Sequence, residues 1–471
     1  MEKKRRSGRN TEITVVTYGF FTLFLVLAGY FIYFVGFAGE GFIDSSYNPR
    51  LSQFAKTIVR GDIVASDGTV LATSQTDAAG NETRVYPKGK EYAHIVGFSS
   101  RGMSGTELDE NFYLLRSHSF FLEKIVNELK DKKNQGDTVV TSLDTKVMDA
   151  LYRGMAPYKG AAVAIDPTTG KILALQSKPD FDPNTVEDNW DSLTADAGSA
   201  ALLNRATQGL YPPGSTFKIL TTLMYLRKQG KPDDVFECKG SFTYGDTTIH
   251  CYHNIVHGSQ TLEEAFGNSC NSVFAKIGVS LTRTDMSRIA GRMLFNRLLP
   301  VHLKNVKKSV FSVKDADVPL IMQTSIGQGN TLVTPIHMAM LVSALANDGL
   351  LMKPDAILRI QNDSRTTVRT IKPEEYGRLF NEEETEVLKR FMRYTVTDGT
   401  ASKLNTQAYE AYGKTGTAEF SQNKSLAHSW FVGFACQGEE KIAVAIVLEG
   451  AGSGSEHAVP LARTIFDTYF Q

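Results

Sequence analysis

A serine and a lysine three residues apart, Ser215 and Lys218, are the strongest candidates for covalent chemistry. They follow a Tyr-Pro-Pro-Gly stretch and precede an apolar, helix-compatible run, so they are predicted at the start of a helix. Residues three apart share a helical face, so the Lys218 amine can reach the Ser215 hydroxyl and act as its base once desolvated. The helix N-terminus also favours an oxyanion. Alone, the pattern is more typical of a helix cap, and Ser421-Gln-Asn-Lys424, which we interpret as a solvated loop, matches it too.

A serine and an asparagine two residues apart, Ser269 and Asn271, come next along the chain and flank Cys270. They lie in a helical pattern over residues 262–277 that breaks at Gly-Asn-Ser-Cys and resumes at Ser272. In such a turn both side chains could point into a cleft, where the hydroxyl would relay a proton and the amide would bind a substrate amide.

A third group, Lys414-Thr415-Gly416-Thr417, lies in an apolar-flanked run over residues 411–420 that has the composition of a strand. Its glycine would let a ligand approach the backbone closely. The alternative is an ordinary edge strand.

Strands and helices around these groups indicate the scaffold that positions them. Residues 161–165 and 171–176 are predicted as two strands joined by a tight turn, and residues 429–435 and 441–448 as adjacent core strands. Residues 459–470 are predicted as a closing amphipathic helix.

The three groups occur in the order that is the signature of penicillin-binding proteins and class A β-lactamases. The sequence closely resembles the class B penicillin-binding proteins, the monofunctional D,D-transpeptidases, over nearly the whole chain. The resemblance implies an α+β fold like that of serine β-lactamases and D,D-peptidases, in which an antiparallel sheet is flanked by helices and joined to a helical subdomain. Further similar positions are Arg60-Gly-Asp62, Gly105-Thr-Glu107-Leu108, Asn204-Arg205, Ile326-Gly-Gln-Gly329, Asp398-Gly-Thr-Ala401 and Trp430-Phe-Val-Gly-Phe434.

The resemblance also implies roles for the matching residues. Lys218 would deprotonate Ser215, which would attack the penultimate D-Ala carbonyl of a stem peptide. Ser269, linked to Lys218 and Lys414, would pass the proton to the departing D-Ala. The remaining roles are substrate binding by Asn271, Lys414, Thr415, Gly416 and Thr417, and an oxyanion hole formed by the backbone N–H groups of Ser215 and Thr417.

Other functions remain open from the sequence. A β-lactamase or β-lactam sensor would share Ser215, Lys218 and Lys414, although no second activated base is evident for hydrolysis. A largely structural activator of a membrane glycan polymerase is another reading. The balance of transpeptidase and carboxypeptidase activity, the acceptor peptide and the cellular role stay undecided.

Composition narrows the range of partners. The chain has 471 residues, 42% hydrophobic and 22% charged, with 51 basic and 51 acidic residues, so nucleic-acid binding is not expected. No cofactor is expected, and the spacing of the four cysteines indicates no metal site. Cys238 and Cys251 flank a predicted hairpin, and a bridge between them or free thiols are equally open.

The N-terminus has the pattern of a membrane anchor. A basic tail over residues 1–12 precedes an uncharged stretch over residues 13–38, which is long enough to span a bilayer. The positive-inside rule predicts a cytoplasmic tail and an extracytoplasmic remainder, with a cleaved signal peptide as the alternative. Residues 39–155 are predicted as a pedestal that resembles a penicillin-binding protein dimerisation domain, and residues 156–471 as the transpeptidase domain. The resemblance implies partners: stem peptides ending in D-Ala-D-Ala, β-lactams, and a membrane glycan polymerase of the shape, elongation, division or sporulation type.

Overall fold

The computed structural model describes residues 2–34, 57–77, 81–130, 132–196, 198–419 and 427–471. Its helices are α1 (Glu2–Tyr33), α2 (Ala93–Val96), α3 (Gly105–Asp109), α4 (Asn111–Leu114), α5 (Phe121–Leu129), α6 (Thr145–Gly154), α7 (Trp190–Ala195), α8 (Arg205–Gln208), α9 (Lys218–Arg227), α10 (Leu262–Gly267), α11 (Asn271–Ser280), α12 (Arg283–Arg292), α13 (Val318–Ser325), α14 (Pro335–Ala346), α15 (Glu382–Thr397) and α16 (Ala458–Tyr469).

The strands are short in the N-terminal part and long near the C-terminus. They are β1 (Ile58–Val59), β2 (Ile63–Val64), β3 (Val70–Thr76), β4 (Glu82–Val85), β5 (Asn134–Gln135), β6 (Thr138–Thr141), β7 (Gly160–Ile165), β8 (Ile172–Lys178), β9 (Val235–Cys238), β10 (Ser241–Tyr244), β11 (Thr247–His250), β12 (Gly258–Thr261), β13 (Leu350–Met352), β14 (Ile357–Gln361), β15 (Thr367–Thr370), β16 (Glu375–Arg378), β17 (Glu410–Glu419), β18 (Ala427–Gln437) and β19 (Glu440–Leu448).

Helix α1 contains an apolar segment, Thr11–Tyr33, that is long enough to cross a membrane. Its 23 residues would extend about 35 Å, slightly more than a hydrocarbon core of roughly 30 Å. The segment is not buried against the rest of the described structure. The helix fits a single-pass membrane anchor, although the last residues of the predicted span, 35–38, lie outside the described part of the chain.

An antiparallel sheet of five strands forms the centre of the transpeptidase domain, in the order β17-β18-β19-β7-β8. Consecutive residues along β7 and β19 are buried, which requires cover on both faces. Helix α14, which is buried along its whole length, packs on β7, β18 and β19, while α6 and α16 pack together and against the sheet. The predicted antiparallel sheet flanked by helices is confirmed, and both predicted strand pairs are neighbours in it.

A second sheet of six strands forms the pedestal, in the order β15-β14-β6-β2-β3-β4. Strands β14 and β15 come from residues 357–370, far along the chain, and β14 pairs with β6 through Ile360 opposite Val139. In the other direction, α6 packs against α16 and β8 of the transpeptidase domain. The predicted boundary at residues 155 and 156 stays a prediction, and the chain crosses between the two units more than once.

A buried acid holds the pedestal together. Glu107 in α3 is fully buried and accepts hydrogen bonds from Arg60 Nε at 2.5 Å and Arg84 Nε at 2.7 Å. Arg60 also donates to Asn111 Oδ1 at 2.5 Å. These contacts join α3 and α4 to the strands of the pedestal sheet. They give a structural role to Arg60 and Glu107, which both lie in motifs that resemble those of the family.

Candidate active site

Ser215 lies in a short 3-10 turn, Gly214–Phe217, that leads directly into α9. The loop that contains Gly327 supports this turn, because Gly214 N donates to Gly327 O at 2.9 Å and a Cβ on Gly327 would lie 1.8 Å from Gly214 O. On the other side, Trp430 Nε1 donates to Pro212 O at 3.0 Å. The nucleophile candidate is therefore held between the sheet and a loop that tolerates only glycine at this contact.

Lys218 begins α9 and is fully buried. Its Nζ donates to Ser269 O at 2.7 Å, to Asn271 Oδ1 at 2.8 Å and to Ser269 Oγ at 3.2 Å. Burial lowers the pKa of Lys218 to about 7 because a charged ammonium is poorly solvated there. A lysine with this pKa is half neutral near physiological pH and can accept a proton.

Ser269 and Asn271 occupy the break between two helices, as the sequence predicts. Helix α10 ends at Gly267, Ser269 adopts a φ of 55°, and α11 starts at Asn271. The amide of Asn271 also donates from Nδ2 to His250 O at 3.1 Å. The positive φ turns the chain so that Ser269 and Asn271 meet the same lysine.

Lys414 lies in β17, the edge strand beside β18, and is fully buried. Burial lowers its pKa well below that of an exposed lysine, and the nearby charge of Lys218 lowers it further. Its Nζ donates to Thr415 O at 3.2 Å.

Two further residues of this strand face neighbours that fix their position. The hydroxyl of Thr415 lies 2.6 Å from that of Thr400. A Cβ on Gly416 would meet Trp430 Cβ at 2.9 Å and Thr216 Cγ2 at 3.0 Å, so glycine lets the strand lie against the turn that carries Ser215.

An open cleft of about 730 Å³ brings most of the predicted residues together. Those that line it are Ser215, Ser269, Asn271, Thr415, Gly416 and Thr417. Lys218 and Lys414 lie beneath its surface. Lys218 donates a hydrogen bond to Ser269 and Lys414 donates one to Thr415, and both of these acceptor residues line the cleft. The second Ser-x-x-Lys match, Ser421–Lys424, lies outside the described residues.

Several residues of the cleft were not predicted as part of the site. One wall is the hairpin β10–β11, which contributes Thr248, Ile249 and His250 and is followed by Tyr252. Another part of the rim is Ser453 in the loop after β19. The hairpin itself was predicted, but nothing in its sequence shows that it folds over a serine from a different segment. Gln328 and Thr400 also line the cleft, and they lie in the Ile326–Gly329 and Asp398–Ala401 motifs that resemble those of the family.

A fully buried lysine one helical turn after a serine that lines an open cleft is the arrangement of a serine acyltransferase. Residues 160–467 match the family described as the penicillin binding protein transpeptidase domain, and residues 60–139 match the penicillin binding protein A dimerisation domain. The chain therefore belongs to the penicillin-binding protein transpeptidase family.

Relatives agree with this assignment over nearly the full length. The peptidoglycan D,D-transpeptidase PbpA of Mycolicibacterium smegmatis is 28% identical over 482 residues, which cover 96% of this chain and 98% of that protein. Penicillin-binding protein A from M. tuberculosis, as a ceftriaxone acyl-enzyme complex, matches with a TM-score of 0.81 at 26% identity, covering 89% of this chain and 100% of that chain. The D,D-transpeptidase domain of a peptidoglycan glycosyltransferase from Eggerthella lenta matches with a TM-score of 0.78 at 28% identity, covering 87% and 97%. The predicted family, fold and enzyme class are thus confirmed.

Proposed function

We propose that this chain is a peptidoglycan D,D-transpeptidase that cross-links stem peptides ending in D-Ala-D-Ala through an acyl-enzyme on Ser215. The observation that carries the proposal is the buried Lys218, whose amine contacts Ser269 and Asn271 beneath the cleft that Ser215 lines. The same chemistry makes Ser215 the site of acylation by β-lactams, whose strained amide occupies the place of the peptide bond.

Acylation begins when neutral Lys218 takes the proton of Ser215. Ser215 Oγ attacks the penultimate D-Ala carbonyl, and the resulting oxyanion accepts hydrogen bonds from the backbone N–H groups of Ser215 and Thr417. As the C–N bond breaks, Lys218 returns the proton through the Ser269 hydroxyl, 3.2 Å away, to the nitrogen of the departing D-Ala. The products are an ester on Ser215 and free D-Ala.

Deacylation repeats these steps with an acceptor amine from a second stem peptide. The amine attacks the ester and transfers its proton through Ser269 to Lys218, and the serine leaves with a proton restored. Water in place of the amine would give carboxypeptidase activity, so access of the acceptor to the cleft decides the outcome.

The residues of β17 would bind the terminal carboxylate of the donor peptide. Thr415 and Thr417 offer hydroxyls at the cleft surface, and Lys414 lies beneath it with an amine whose charged form a bound carboxylate would favour. Gly416 lets the peptide lie close to the strand, and Asn271 would hold a substrate amide from the opposite wall.

Intact mass spectrometry with benzylpenicillin tests the assignment. We expect a persistent adduct that peptide mapping places on Ser215 and that Ser215→Ala abolishes. Ser192→Ala is the matched control, because Ser192 is exposed in α7 and its replacement should leave labelling unchanged. Unchanged labelling of Ser215→Ala would refute the nucleophile, and an adduct lost within seconds would indicate a β-lactamase.

The chain is also proposed to sit with its basic tail in the cytoplasm and its catalytic domain outside. The support is the basic cluster before α1, since cytoplasmic flanks carry an excess of lysine and arginine. A membrane glycan polymerase is the partner that the family resemblance suggests for such an anchored enzyme. A phosphatase that requires the extracytoplasmic environment, fused after Gln471, should be active only if this end of the chain is extracytoplasmic. Complementation of a strain that lacks the protein by Ser215→Ala would show that scaffolding of a polymerase is sufficient.

A further inference from the structure

Three cysteines and a histidine from four separate segments converge beside the active site. Cys238 ends β9, Cys251 follows β11, His257 precedes β12, and Cys270 caps α11 between Ser269 and Asn271. One potential ligand atom of each lies within 4.8 Å of all the others. The cysteines are buried and the histidine is half-buried at the wall of the cleft.

The spacing of these atoms matches a tetrahedral metal site. Zn–S bonds of about 2.3 Å and Zn–N bonds of about 2.0–2.1 Å place two sulfur ligands about 3.8 Å apart and a sulfur and a nitrogen about 3.5 Å apart. Cys251 Sγ lies 3.7 Å from both Cys238 Sγ and Cys270 Sγ, and Cys238 Sγ lies 3.4 Å from His257 Nδ1. A disulfide would require about 2.05 Å, and it would engage only two of the four groups.

Two of the sulfurs also accept hydrogen bonds from backbone N–H groups. Gly240 N donates to Cys238 Sγ at 3.4 Å, and Ser272 N donates to Cys251 Sγ at 3.5 Å. Such outer donors stabilise metal-bound thiolates, which carry negative charge that a buried site must otherwise leave unsatisfied.

We propose that Cys238, Cys251, His257 and Cys270 bind a structural Zn²⁺ ion. Three thiolates and one imidazole form a closed set of four soft and borderline ligands, which favours Zn²⁺ over oxygen-seeking ions such as Mg²⁺ or Ca²⁺. All four positions of the tetrahedron are filled by protein, so the ion has no open site for substrate. Binding releases the thiol protons to solvent and changes no oxidation state.

The ion would fix the wall of the catalytic cleft. It joins the segment that carries the β10–β11 hairpin to the turn that carries Ser269, because Cys270 is the residue between Ser269 and Asn271. Asn271 already contacts the hairpin through His250 O, and a metal would lock the same two segments together. Cys270 is thus a positioning residue for the proton relay.

Metal analysis of the full-length chain, purified in detergent without added metal, chelator or reductant, tests the proposal. We expect one zinc ion per chain by elemental mass spectrometry, and a zinc content at least tenfold lower in Cys238→Ser and Cys251→Ser. Cys436→Ser is the matched control, because Cys436 lies in β18 outside the cluster and its loss should leave zinc unchanged.

The unmodified chain provides a second test that does not depend on the variants folding. When the zinc is removed with a chelator and Co²⁺ is added in its place, the protein should show the intense visible bands and the sulfur-to-cobalt charge-transfer band of a tetrahedral thiolate site. Removal should also speed hydrogen exchange in the β10–β11 hairpin and in residues 267–271, but not in the pedestal. These readouts are separate from acylation of Ser215, so they can fail or succeed independently of the proposed function.

Two results would overturn the metal site. One is a chain that holds no zinc when purified and takes up neither Zn²⁺ nor Co²⁺ on addition. The other is a mass two hydrogens lower than that of the reduced chain, with a disulfide mapped between two of Cys238, Cys251 and Cys270.

Discussion

Lys218 carries the proton on which the proposed chemistry depends. Complete burial lowers the pKa of this amine, whereas the nearby thiol groups of Cys270 and Cys251 raise it. Burial dominates and brings the pKa to about 7, so a moderate change in pH converts the amine between its protonated form and the neutral form that can accept a proton.

This pKa predicts how acylation by benzylpenicillin depends on pH. Below pH 7 Lys218 is protonated and cannot take the Ser215 proton, so the second-order acylation rate should rise roughly tenfold per pH unit and level off above about pH 8. Quenched-flow mass spectrometry from pH 5.5 to 9 measures it, and the final extent of labelling is the control for intact protein. A rate that still rises tenfold per pH unit at pH 9, as the ordinary lysine value of 10.5 requires, would show that burial does not tune this group.

At this scale the sequence identifies most of the residues that the structure brings together at the cleft, because the motifs are local. Ser215 and Lys218 are one helical turn apart, and Ser269 and Asn271 share one helix break, so short-range geometry suffices to propose their roles. The hairpin wall and the cysteine cluster could not be predicted, since their residues come from segments that only the tertiary fold brings together. The spacing from Cys238 to Cys270 fits no short metal motif, and the sequence indicated no metal site.

At the scale of secondary-structure elements, the buried side chain of Glu107 holds α3 to the pedestal strands. Glu107 is its only acid that is fully buried, and two guanidinium groups approach it from β4 and from the segment between β1 and β2. Burial raises the pKa of this carboxyl, but the charges of Arg60 and Arg84 outweigh burial and hold the pKa below its usual value.

Replacing this carboxylate should destabilise the pedestal. Glu107→Ala leaves two largely buried guanidinium groups without their partner, which typically costs about 3–5 kcal/mol. Urea unfolding measured by protection of β3 and β4 against hydrogen exchange checks it. Glu386→Ala, at an exposed site in α15, should change stability by less than about 0.5 kcal/mol, and an equal effect of both would show that the buried pair contributes nothing specific.

At the scale of the whole molecule, the part of the chain that follows the first catalytic elements contributes two strands to the pedestal sheet. The pedestal sheet contains β14 and β15, which follow α14 of the catalytic domain in the chain. The existence of two units is readable from the change in sequence pattern, whereas this exchange is not, because no local signal in residues 357–370 shows which sheet the strands join.

The shared strands predict that residues 57–155 do not form a complete pedestal alone. Without β14, one edge of β6 loses its partner, so its amides that bond to β14 should exchange at least tenfold faster than in the full chain. Hydrogen-exchange mass spectrometry measures this difference. Residues 357–370 appended through a flexible Gly/Ser linker are the control and should restore protection, whereas full protection of the fragment alone would show that β6 needs no neighbour.

The pairing of β6 with β14 also dictates the order in which the molecule can fold during synthesis. Thr138 in β6 lies opposite Gln361 in β14, so the ladder between them closes a loop that spans most of the catalytic sequence. Such distant pairing is slow, because the chain must lose loop entropy before the contact forms. The pedestal leaves the ribosome first, yet its sheet is finished only after β15 has been made, and until then β6 presents an open edge that a chaperone or a neighbouring chain can occupy.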